Sequence, residues 1–180
     1  MQKRFPALAD ILPVLAVIAV MFYGWSMVVF LWKLPGWLFF LSLGEIAIIF
    51  SYELVTNLAE SLFILALLLV CAALLPARFL RNDFIPRGSA AALVLVGALL
   101  LINYLDAQER LGPPAYWPVW LLVAVFGAIA LAWVAARVEM AGRALAWLAD
   151  RLIVFLVLLL PLSGFAFAAL LTRYLFRMSL

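Results

Sequence analysis

The chain has 180 residues, 71% of them hydrophobic and 12% charged, whereas soluble domains run near half apolar and a quarter charged. An apolar excess this large cannot be hidden in the core of so small a globule, so a water-soluble fold is excluded and lipid is the expected solvent. Twelve Lys and Arg against nine Asp and Glu leave a net charge of +3; these cations lie in short stretches between apolar runs, with no basic patch interleaved with aromatics, so no nucleic-acid partner is expected.

Composition also limits the chemistry. There is no histidine, which removes bis-His haem, the common zinc sites, and Ser-His-Asp or Cys-His catalysis. The single cysteine, Cys71, sits in an apolar run without an intrachain partner and reads as a small packing residue. No phosphate-binding loop, dinucleotide turn, nucleophile elbow or lipidation signal occurs. No cofactor, metal or catalytic residue is therefore expected. The two halves show no repeat of the inverted-repeat transporter kind.

In chain order, Lys3 and Arg4 precede an uncharged run over 11–31, enough to span a bilayer. It is longer than a signal-peptide core and lacks a small-x-small cleavage site, so it reads as an uncleaved first span. Pro13 falls in its first turn, where proline is tolerated. Trp32-Lys33-Leu34-Pro35-Gly36-Trp37 predicts a helix-breaking turn at a membrane–water interface.

Residues 37–75 then run on without Pro and with Gly44 alone. As one straight helix they would reach about 60 Å, twice the hydrocarbon thickness. A break is predicted at Asn57-Leu58-Ala59-Glu60, where Asn and Glu have the spacing of a capping box. Residues 55–75 then form the second span. Residues 37–54 become an interfacial or re-entrant helix, or else a sixth span.

Residues 76–88 form a connection with Arg78, Arg81 and Arg87, and 89–105 the next span. Residues 106–118 make an acidic and aromatic loop, followed by a span over 117–136. A polar connection over 137–151 carries Arg137, Arg143 and Arg151 and is expected to hold a short amphipathic helical turn. The last span, 152–171, has Pro161 beside Ser163 and Gly164 and is expected to kink there. The fold class is thus all-α: one polytopic membrane bundle of five spans, with six as the alternative.

The positive-inside rule places 76–88 and 137–151 on the cytoplasmic side of a bacterial-type cytoplasmic membrane. Five spans then put the N-terminus inside and the C-terminus outside, whereas six spans put both outside.

Glu45, Glu53, Asn57 and Glu60 form the candidate polar or ion site. On a continuous helix Glu53 and Glu60 lie about 20° apart with Thr56 and Asn57 beside them, while Glu45 is offset by roughly 80°. Two readings stay open. Either these carboxylates line a proton or cation path inside the bundle, or Glu53 and Glu60 stand in headgroup water at a helix break. Glu45, among apolar neighbours, is the one expected to be buried if there are six spans. Asn103, Tyr104 and Asp106 close the 89–105 span, where they would meet Glu53 or Glu60 or form an ordinary interfacial helix end. Ala124, Ala128, Ala132 and Ala136 recur every four residues, a small-residue face for close helix approach. The partners expected are the lipid bilayer and either a larger membrane protein or further copies of the chain. The function expected is that of a non-enzymatic accessory or scaffolding subunit, the alternative a small transporter or proton- or cation-conducting protein using the glutamates.

Overall fold

Lipid offers no hydrogen bonds, so a backbone that crosses it must satisfy its own N–H and C=O groups, and a single segment can do this only as a helix. The computed structural model, which describes residues 6–76, 80, 83–108 and 117–178, answers that demand throughout. It contains α1 (Leu8–Trp37), α2 (Leu43–Leu74), α3 (Phe84–Ala107), α4 (Trp117–Arg137) and α5 (Glu139–Met178). All five are long and apolar enough to cross a membrane, and no strand occurs among the described residues. The chain is an all-helical, multi-pass membrane protein.

Pro35-Gly36 does not end α1 where a turn was expected; the helix continues to Trp37. A proline deletes one helical hydrogen bond, and so near the end few turns remain for it to disturb. Reversal follows immediately, with Leu38 N–H donating to the Leu34 carbonyl at 3.0 Å and Leu41 N–H to that of Trp37 at 2.8 Å.

The largest difference from expectation lies in α2, which runs unbroken for 32 residues. There is no separate helix over 37–54 and no break at Asn57–Glu60. The capping box sits instead at its start. Ser42 N–H donates to Glu45 Oε2 at 2.8 Å, and Glu45 N–H donates back to Ser42 Oγ at 3.3 Å. Both tetrapeptides have the capping spacing, but a cap forms only where backbone donors lack a preceding turn. Ser42 follows a chain reversal; Asn57 follows about four turns of helix whose carbonyls already serve those donors.

The other polar connections shrink in the same way. From Phe84 onward the expected 76–88 connection is already α3, while Arg78 and Arg81 lie outside the described residues. Most of the 106–118 loop, with Glu109, Arg110 and Tyr116, lies outside them too. Only Val138 separates α4 from α5, so the expected 137–151 connection is helical almost throughout. Gly142 permits this tight joint: a Cβ there would stand 2.9 Å from the Ala135 carbonyl oxygen. From that joint α5 continues for 40 residues, with Pro161 inside it.

Packing centres on α1, which touches α2, α3 and α5, while α4 is held chiefly by α3. Val14, Ala16, Val17 and Ile18 of α1 are almost completely buried. Gly88 would meet Val14, and Gly97 would meet Met21, so α1 and α3 run in the same direction. Tyr23 meets Leu54 and Phe30 meets Phe50, so α2 runs the opposite way.

Candidate functional site

Three helices bring polar side chains together at mid-depth. Tyr23 of α1, buried among aliphatic residues, donates its hydroxyl proton to the Leu54 carbonyl of α2 at 3.1 Å. That commits the one proton it has, so Ser163 of α5, fully buried, is the donor in the hydrogen bond between the two hydroxyls. One turn further along α1, Ser26 donates to Asn57 Oδ1 at 2.8 Å. Ser61 returns its own hydroxyl proton to the Asn57 carbonyl at 2.7 Å. Asn57 is thereby buried with its side-chain oxygen and its backbone carbonyl both engaged.

Glu53 stands beside this network. With Ser26, Met27, Phe30, Phe50 and Asn57 it lines a groove between α1 and α2 of about 10 Å³, the space of one water. Each wall of the groove mixes polar and aromatic side chains.

The four candidate residues do not form one site. Asn57 is buried, Glu53 is half-buried in the groove, and Glu60 is exposed on the outside of α2. Glu45 is also exposed and is spent on the helix cap. The burial expected for it under six crossings does not occur, because it stands in a first turn rather than within a span. Arg173, near the end of α5, is close enough to Glu45 to act on it electrostatically, which puts the α1–α2 reversal and the end of α5 on one face of the bundle. Tyr104 packs edge-on against Trp25, ring centres 6.0 Å apart, rather than against either glutamate. Asn103 donates to the Leu99 carbonyl of its own helix.

Depth combined with exposure distinguishes Glu60 from the rest, Asn57 being as deep but buried. It lies seventeen residues from Leu43 and fourteen from Leu74, about 25 and 21 Å from the two helix ends. Any 30 Å hydrocarbon layer laid across this helix therefore contains it. The neighbouring exposed residues on α2 include Tyr52, Thr56, Phe63 and Leu67.

Ala124, Ala128 and Ala132 of α4 are buried, as is Ala135; the side chain of Ala136 lies outside the described residues. A Cβ on Gly127 would come within 3.2 Å of Val94, so α4 lies close upon α3 here. At the opposite end from the α1–α2 reversal, an open hollow of about 300 Å³ is lined by Asp83, Pro86, Glu139, Gly142 and Arg143. Its charges are weakly organised: Arg143 and Glu139 are 3.8 Å apart and both well exposed.

Tyr23 and Ser26 were not singled out from the sequence, and Ser163 only for the kink beside Pro161. A signal existed: Tyr23 and Ser26 are three apart, on one helix face, in a run otherwise apolar. Among the described residues, no group of three or more metal-binding side chains occurs. No protein-family model, curated protein or solved structure matches the chain.

Proposed function

We propose that the protein is a non-enzymatic accessory or scaffolding subunit of a membrane assembly. The observation that carries this reading is Glu60. A carboxylate near the bilayer centre costs at least a few kcal/mol and is normally turned toward a bundle interior or a water-filled cavity. Here it is on the outer face of α2, so the bundle alone leaves it against lipid. A protein surface covering that face removes the cost.

The internal polar network supports the same reading. Tyr23, Ser26 and Ser163 each donate their hydroxyl proton to a neighbouring helix, which fixes three helices as a platform. In orientation, the face bearing Arg87, Arg137 and Arg143 is the cytoplasmic one, by the bias of short basic segments.

Blue-native electrophoresis after mild solubilisation tests the proposal. A species larger than the monomer, containing a second kind of chain, is expected. A monomer with no co-purifying chain would overturn it.

Conduction of protons or cations is the second reading, favoured by Glu53 beside a groove of one-water size. Proteoliposomes holding the purified chain would show a flux that Glu53→Gln abolishes; a wild type without flux removes this reading.

A further inference from the structure

We propose that Glu60 is the docking point for a partner's transmembrane helix that carries a lysine or arginine near the bilayer centre and lies along the outer face of α2. The inference rests on the subunit reading above and adds the chemistry of the partner.

Charge complementarity selects this occupant. Its distance from both ends of α2 places Glu60 inside the hydrocarbon layer however the helix is seated. The ion pairs among the described residues are Arg87 with Asp83 and Arg143 with Glu139; neither involves Glu60. The charge that bears on it is that of Glu53, two turns away and of the same sign. What the site lacks is a cation, and one supplied at the same depth would be paired rather than isolated.

Other occupants fit less well. In a two-fold pair, a second copy would set Glu60 beside its own equivalent, like charge against like. Nor, among the described residues, does a cation of the chain itself stand at that depth. Lys33 and Arg173 lie near the ends of α1 and α5, Arg87 and Arg137 in the terminal turns of α3 and α4. Leu54 and Ser163 share one level through Tyr23, and Glu60 lies six residues beyond it, so Arg151 stands a further six residues, about 9 Å, toward the α5 start, where it stacks over Trp147 instead. A lipid headgroup does not reach the centre of the layer. Around Glu60, Thr56 offers a hydroxyl to a second donor of the incoming cation, while exposed Phe63 and Leu67 offer apolar contact for its stem.

The test uses the full chain in phosphatidylcholine vesicles, donor-labelled, with acceptor-labelled host helices of leucine. One host carries a single central lysine, and the other carries leucine throughout. The lysine helix should associate about ten-fold more tightly than the leucine helix, a difference readily resolved by energy transfer. Glu60→Gln should abolish that preference, while Glu60→Asp, which keeps the charge, and Glu53→Gln should retain it. Equal binding of both helices, or a preference that survives in Glu60→Gln, would overturn the proposal. So would energy transfer between two copies of the wild type that disappears in Glu60→Gln, since the occupant would then be a second copy. A native assembly without a lysine preference sinks this inference alone; a lone monomer on the native gel sinks the subunit reading even if the lysine helix binds.

Discussion

Tyr23 shows how much one hydroxyl does in lipid. It bridges α1 to the backbone of α2 and the side chain of α5 at a single oxygen. Tyr23→Phe removes the donor to Leu54 and takes the acceptor from Ser163, leaving a buried hydroxyl to find another partner. Interhelical hydrogen bonds in membranes average about 0.6 kcal/mol and reach about 1.7 kcal/mol. Because two bonds share this atom, the substitution is expected to destabilise the bundle by about 1 kcal/mol, measured by reversible unfolding in mixed micelles. Ser163→Ala should cost less, since Tyr23 keeps its bond to the Leu54 carbonyl. Equal stability of Tyr23→Phe and wild type would show that the network contributes nothing net.

Among the elements, the α4–α5 joint depends on glycine for room rather than for backbone freedom. Gly142→Ala would push a methyl to 2.9 Å from the Ala135 carbonyl, so α5 must shift away from α4. Overpacking of this kind costs about 1–3 kcal/mol. Gly24→Ala is the matched control: a Cβ there meets nothing within 4 Å, and the gain in helix propensity makes it neutral or stabilising. Thermal unfolding of the two variants should therefore move in different directions or by clearly different amounts.

The helices themselves were legible in the sequence because lipid leaves the backbone little choice, and apolar runs of twenty residues read as spans. Their ends were not. Ser42-Leu43-Gly44-Glu45 and Asn57-Leu58-Ala59-Glu60 carry the same capping spacing, and only the chain reversal before Ser42 decides between them. Length misled in the same region: a helix too long for the bilayer was read as broken, whereas α2 continues beyond the hydrocarbon layer. The network of Tyr23, Ser26, Asn57 and Ser163 was half legible. Asn57 stood out as polar within an apolar stretch, but its partner Ser26 comes from another helix, and no local pattern encodes which residues two helices set at one depth.

For the molecule as a whole, five crossings in alternating directions place the α1–α2 reversal and the end of α5 on one face. They place the α2–α3 connection and the α4–α5 joint on the other. Single cysteines in a Cys71→Ser background test this in intact membranes with an impermeant thiol reagent. Positions 39 and 173 are expected to label from one side, and positions 75 and 138 from the other. Labelling of 39 and 75 from the same side would restore a sixth crossing between them.

The joint at Val138 also bears on how such a chain is made. One residue separates α4 from α5, so the two helices leave the ribosome as adjoining arms of one hairpin and cannot end up far apart in the bilayer. Arg137 and Arg143 flank the bend, so the same charges that orient one arm orient both.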